Sequence, residues 1–276
     1  MIVSVDGVEI HASTGGVASA AGGPVVVLIH GAGIDSTVWQ LQTRYLAYRG
    51  MRAMAVDLPG HGRSGGEALG SVEEMADWLV RFLDAAGVAQ AHIVGHSMGS
   101  FVALELASRY GARTCSVTLC GTSTSMAVHP DLLDAATNDL GHASALMAAW
   151  GHARPAHVGL NPTPGMWMLG GARALVELSR PGVLATDFRA CMAYANAVSA
   201  AAMAVCPATV IIGLGDKMTP PKGGRTIAAA LRNVTAIELA DVGHSMMIES
   251  PRAVRDAIVN RVSATSISNT SVNGPL

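Results

Sequence analysis

The chain of 276 residues is short of charge and of aromatic rings: charged residues make up 14% and aromatics 4%, while 50% are hydrophobic. Eighteen Lys and Arg stand against 20 Asp and Glu, a formal net charge of -2. That balance leaves no basic surface for nucleic acid and no footprint for an anionic membrane. A chain so poor in charge and so apolar has residues to bury, which excludes disorder over most of its length. Long apolar runs are missing too. Val25–Ile29 stops at His30, and Ala190–Val205 is interrupted by Asn196 and Ser199 before Pro207. Neither reaches the roughly 20 residues a spanning helix needs. The mean hydropathy of +0.37 therefore reports a buried interior, and no membrane span is expected. Met1–Glu9 has no basic stretch and carries Asp6 and Glu9, so it does not read as a signal peptide. Cys115, Cys120, Cys191 and Cys206 form no Cys-x-x-Cys pair. Buried reduced thiols in a cytoplasmic chain are the expectation.

Glycine, at 31 residues, is plentiful and punctuates an alternation of strands and helices. Asp6-Gly7 between Ile2–Val5 and Val8–Ala12 predicts a hairpin. Val25–His30, Arg52–Leu58, Ala91–Gly95, Ser116–Cys120, Thr209–Gly213 and Thr235–Leu239 read as strands. Helices are expected at Val38–Arg49, from Ser71 to Gly87, Met98–Tyr110, Lys222–Leu231 and from Pro251 to about Val262. Ser71 and Glu74 form a capping-box pattern. Strand and helix in alternation imply a parallel sheet wound by helices. The rhythm breaks between Thr122 and Val205, where no strand is evident and helical pieces are expected around Asp131–Ala149 and Arg173–Tyr194. This Met-rich stretch between two core strands suits a lid over a site. Residues 264–276, rich in Ser, Thr and Asn, are expected to form a mobile tail.

Gly95-His96-Ser97-Met98-Gly99 follows a strand and opens a helix. That is the context in which G-x-S-x-G makes a nucleophile elbow: a sharp turn presents the serine, and side chains two residues either side would collide. A serine hydroxyl needs a base. His244, in a loop after the last strand, is the histidine placed downstream; His96 sits beside Ser97, and His30 and His61 belong to turns. Asp216 follows Thr209–Gly213, while Asp241 is a rival only three residues before His244. Among the lid residues, Trp150 and Trp167 are candidates to touch substrate. Arg154, Arg173, Arg180 and Arg189 could clamp a carboxylate or simply lie on the surface.

Four motifs together resemble the α/β-hydrolase family, in its lid-bearing esterase and lactonase-like branch: His30-Gly31-Ala32-Gly33, Asp57-Leu58-Pro59-Gly60-His61-Gly62-Arg63-Ser64, the Ser97 elbow, and Gly243-His244. The resemblance runs from about Val25 to Arg261. It implies a mostly parallel eight-stranded sheet with helices on both faces and a helical lid after the sixth strand. The core would be 1–121 and 206–263, the lid 122–205. It further implies a triad of Ser97, Asp216 and His244, with the backbone N–H groups of Ala32 and Met98 as the oxyanion hole and Gly33 as the alternative donor. No metal and no organic cofactor are implied. The expected activity is hydrolysis of a small, mainly apolar carboxylic ester or lactone through an acyl-enzyme. Alternatives are a carbon–carbon bond hydrolase of a keto acid, a cofactor-free perhydrolase or haloperoxidase-like enzyme, and a slow-turnover ligand receptor. The oligomeric state is left open.

Overall fold

Eight strands form one sheet in the order β1-β2-β4-β3-β5-β6-β7-β8. The computed structural model describes residues 1–16, 22–160, 162, 163 and 165–272, with side chains through Thr265. β1 (Ile2–Val5) and β2 (Val8–Ser13) pair antiparallel. Asp6 and Gly7 between them both take positive φ, 53° and 82°, the twist a two-residue hairpin turn requires. β2 then pairs antiparallel with β4 (Arg52–Val56). β3 (Val25–Ile29), β5 (Ala91–His96), β6 (Thr114–Cys120), β7 (Ala208–Gly213) and β8 (Val234–Leu239) complete a run parallel with β4. β5 and β7 are buried at every position, as apolar strands covered on both faces must be.

α1 (Gln40–Tyr48), α2 (Val72–Ala85) and α3 (Met98–Arg109) belong to the first half of the core. α4 (Pro130–Asn138), α5 (Leu140–Gly151), α6 (Arg154–His157), α7 (Met168–Glu177), α8 (Val183–Ala193) and α9 (Ala197–Met203) all fall between β6 and β7. α10 (Pro221–Ala230), α11 (Met246–Glu249) and α12 (Pro251–Val272) finish the chain. Two apolar layers sandwich the sheet. On one face Val27, Ile29 and Ile93 pack with Leu79 of α2, Phe101 of α3 and Ile227 of α10. On the other, Val26, Leu28 and Val94 pack with Leu46 of α1 and Val254 and Ile258 of α12. Among the described residues no helix is long and apolar enough to cross a membrane.

Local chemistry sets the helix ends. Ser71 Oγ accepts from Glu74 N–H, while Glu74 reaches back to Gly70 N–H instead of Ser71, so the capping box is displaced by one residue. The expected helical pieces in the insertion are each broken. Asp139 turns extended and caps α5 through His142 N–H, which divides Asp131–Ala149. Pro181 and left-handed Gly182 (φ 81°) divide Arg173–Tyr194. The last helix, expected to end near Val262, continues to Val272. Pro251 stands at its first position and no Gly or Pro follows until Gly274, so nothing in between breaks the ladder. Residues 273–276 lie outside the described residues.

Candidate active site

Ser97 joins β5 to α3 with φ 53° and ψ -120°, a conformation that costs a side-chain-bearing residue roughly 1–3 kcal/mol. The two flanking glycines make it possible. A Cβ on Gly95 would run into the backbone of Gly99, and one on Gly99 would lie 2.5 Å from Ile29 O. Ser97 N–H donates to Cys120 O at 2.9 Å, which ties the turn to β6. Met98 begins α3, so its N–H has no acceptor within the helix and faces the same end as the helix dipole. Gly31 packs against the turn: a Cβ there would stand 3.2 Å from Ser97 Cβ. This brings the loop after β3, with Ala32, beside Ser97. Of the two possible donors in that loop, Gly33 N–H is already committed to Asp187 Oδ2 at 2.8 Å.

His244 and Asp216 meet, as the resemblance implies. His244 Nδ1–H donates to Asp216 Oδ2 at 2.8 Å, which leaves Nε2 as the proton acceptor. Both side chains are buried. Asp216 Oδ1 accepts from the N–H groups of Met218 and Thr219, each at 2.8 Å, and Oδ2 also accepts from Thr219 Oγ1 at 2.6 Å. Burial pushes the Asp216 carboxyl up, but His244 and Thr219 outweigh it and hold the group below the usual carboxylate range. Thr219 Oγ1 also lies 3.1 Å from His244 Nδ1. Asp241, the rival acid, sits exposed on a turn at φ 56°.

The neighbouring histidines take different work. His96 Nε2–H donates to His244 O at 2.9 Å, so it holds the backbone of the His244 loop. Burial and the nearby His244 keep it neutral, with its pKa well below the ordinary value. His30 Nδ1–H donates to Gly31 O and Nε2 accepts from Leu58 N–H; burial lowers its pKa to about 4. His61 faces acceptors at both nitrogens, Pro59 O at 2.9 Å and Asp187 Oδ2 at 2.8 Å. Only an imidazolium satisfies both. Burial opposes that charge, yet the Asp187 carboxylate overcomes it and raises the pKa.

Asp187 and Glu249 escape a reading of the sequence. Asp187, in α8, has no exposed surface, and it binds the insertion to Gly33 and His61. Glu249, in α11, accepts from Ala153 N–H at 2.8 Å and Gly243 N–H at 3.0 Å. It joins the end of α5 to the residue before His244. Burial raises its pKa despite these donors.

Among the described residues, two cavities are lined in part by Ser97. The larger, about 210 Å³, is bounded by Ala32, His244 and Ser245 on the core side and by Met147, His152, Met166, Trp167, Met168 and Leu175 of the insertion. The smaller, about 110 Å³, is bounded by Met126, His129, Trp150, Cys191 and Lys217. Trp150 thus lies in the smaller one, edge-on to His129. Trp167 lines the larger at its rim, where it is 77% exposed. Among the described residues, none of Arg154, Arg173, Arg180 and Arg189 lines either cavity. Arg180 instead donates to the carbonyls of Gly62 and Ser64, and Arg173 pairs with Glu177.

Known proteins share this arrangement of chain. A putative carbamate hydrolase RutD of Caulobacter sp. (strain K31) is 28% identical over 94% of this chain and 97% of its own length. The pimeloyl-[acyl-carrier protein] methyl ester esterase of Aromatoleum aromaticum is 29% identical over 83% of this chain and 94% of its own. Alignments at 32–40% identity reach further curated proteins, of whose length the chain spans less than half. The crystal structure of the enol-lactonase from Burkholderia xenovorans LB400 superposes with a TM-score of 0.85 at 24% identity, covering 95% of this chain and 100% of that one, and so shares the fold. The sequence model of the alpha/beta hydrolase family matches residues 26–257, from β3 into α12 and across both cavities. The chain belongs to the alpha/beta hydrolase family.

Proposed function

We propose that the chain is a serine hydrolase that cleaves a carboxylic ester or lactone of a small, mainly apolar substrate, with Ser97, His244 and Asp216 as its triad. The observation that carries the reading is the buried 2.8 Å contact of His244 Nδ1 with Asp216 Oδ2, with His244 lining the same cavity as Ser97. Ser97 Oγ attacks the carbonyl carbon and its proton passes to His244 Nε2. The N–H groups of Met98 and Ala32 receive the oxyanion. Collapse breaks the bond to the alcohol oxygen, which leaves with the proton from Nε2. Water then gives a proton to Nε2 and attacks the acyl-enzyme, and the acid departs as Ser97 recovers its hydrogen. Asp216 keeps Nε2 turned to the serine and stabilises the imidazolium.

Residues 122–205 act as the lid in this reading, over a core of 1–121 and 206–263, with Trp150 and Trp167 touching the substrate. The apolar lining of the larger cavity favours an apolar group on the longer side of the ester. Relatives named as a carbamate hydrolase and a methyl ester esterase support hydrolysis at an acyl carbon. The carbon–carbon hydrolase alternative gains nothing from the arginines, which stand away from both cavities. The test is labelling with a fluorophosphonate followed by peptide mass mapping. The adduct is expected on Ser97 alone; an unlabelled Ser97 in folded protein contradicts the proposal.

A further inference from the structure

Gly151 has no backbone or packing reason to be a glycine. It is the buried last residue of α5 and takes no positive φ. An alanine fits its place: a Cβ there would meet Met218 Sδ at 3.6 Å and Ser245 Oγ at 3.7 Å, both ordinary van der Waals contacts. Gly170 in α7 shows the contrast, since a Cβ there would run into the Trp167 ring. Glycine is less favourable than alanine at a helical position, because the unfolded chain has more freedom to lose. At Gly151 that cost is met with no return in packing.

What the missing methyl group leaves is space. Gly151, Met218 and Ser245 all line the larger cavity, so the Cβ position stands where three of its wall residues meet. That corner belongs to the catalytic end: Ser245 follows His244, and Met218 lines both cavities with Ser97. Ala148, one turn earlier on the same face of α5, is a second small residue of that wall. We propose that Gly151 is a specificity-determining residue whose absent side chain keeps the larger cavity wide beside Ser245 and Met218, so that the preferred esters or lactones carry a ring or a branch close to the scissile carbonyl. This rests on the ester-hydrolase reading above. A straight chain passes an alanine at this corner, whereas a ring meets it. Stability and selectivity therefore oppose each other at Gly151: the methyl group that favours α5 narrows the cavity.

The test compares methyl cyclohexanecarboxylate with methyl heptanoate, which has the same number of carbons in a straight acyl chain. The small leaving group sends the acyl group into the larger cavity. Turnover is followed by acid release in wild type, Gly151→Ala and Gly151→Val, with the melting temperature of each. Wild type is expected to have a kcat/KM for the ring ester at least equal to that for the straight one. In Gly151→Ala the ratio of ring to straight kcat/KM falls about tenfold, while the heptanoate value stays within about threefold of wild type. Gly151→Val lowers the ratio further. The melting temperature of Gly151→Ala stays at or above that of wild type. A wild type that prefers the straight ester, or an unchanged ratio in Gly151→Ala, overturns the proposal. So does a lower melting temperature in Gly151→Ala, which would make the glycine a structural requirement. If wild type turns over neither ester nor p-nitrophenyl acetate, the ester-hydrolase reading falls and takes this one with it.

Discussion

Asp187 Oδ2 accepts the backbone N–H of Gly33 at 2.8 Å across 154 residues of sequence, so a helix of the insertion holds the loop that follows the first buried parallel strand. The same oxygen receives His61 Nε2–H. The insertion is thereby tied to the loop that carries Ala32 and Gly33. In Asp187→Asn, His61 loses its counter-charge inside the protein and Gly33 loses a strong acceptor. Stability is expected to drop by about 2 kcal/mol. The wild-type pairing raises the His61 pKa, so its stabilisation is complete below the ordinary value of 6.5 and is lost as pH rises through the raised value. Urea titrations of both proteins should therefore differ most below pH 6.5, and the difference should shrink as pH rises through the raised His61 value. If Gly33 also keeps Ala32 in place, kcat for a short ester falls about tenfold with KM unchanged; an unchanged kcat would restrict Asp187 to a structural tie.

Acid sensitivity follows from the buried imidazoles. Burial lowers His30, His92 and His152 to about 4 and takes His96 well below its ordinary value. Between pH 6.5 and 4 the unfolded chain binds protons at these rings and the folded one does not, so stability rises with pH across that window. Unfolding near pH 5 should take up about four protons at these rings. The slope of urea-unfolding free energy against pH measures this directly, and a flat profile from pH 5 to 6.5 would contradict it. Below pH 4 the depressed carboxyls of Asp57 and Asp216 add to the loss.

The turn at Ser97 stores strain that a single substitution can release. Glycine tolerates φ 53° and ψ -120° without the Cβ clash, at some entropic cost in the unfolded chain. Ser97→Gly is expected to be more stable than Ser97→Ala by about 1 kcal/mol. Equal melting temperatures would show that the turn is relaxed.

Asp216→Asn should leave the fold in place while disrupting the tautomer of His244. The expected loss is roughly 10⁴-fold in kcat, with fluorophosphonate labelling slowed in parallel. A loss in KM alone would mean that Asp216 only shapes the pocket.

Much of the core was legible because its signals are local. The β-branched run at Val25–Ile29, the glycines flanking Ser97 and the loop before His244 each declare themselves within a few residues. Asp216 came from the family resemblance, which implies an acid after that strand, and it lies 2.8 Å from His244 Nδ1. What was not legible depends on chain segments that meet only in space. Asp187 reads as an ordinary helix acid until Gly33 and His61 are found beside it; its one sequence signal is that it falls on the buried face of α8, four residues after Val183 and three after Leu184. Glu249 gives a similar hint, closing the apolar run Met246-Met247-Ile248. The breaks at Asp139 and Gly182 were missed because helical apolar spacing continues across both, while capping and a left-handed glycine decide the boundary.

The central claim is that Ser97 is the nucleophile. Its most direct test is kcat of Ser97→Ala on a short p-nitrophenyl ester, measured on protein whose circular dichroism matches wild type. The account predicts a fall of about 10⁴-fold or more, to the level of residual binding and oxyanion stabilisation. Turnover within a few fold of wild type would contradict it.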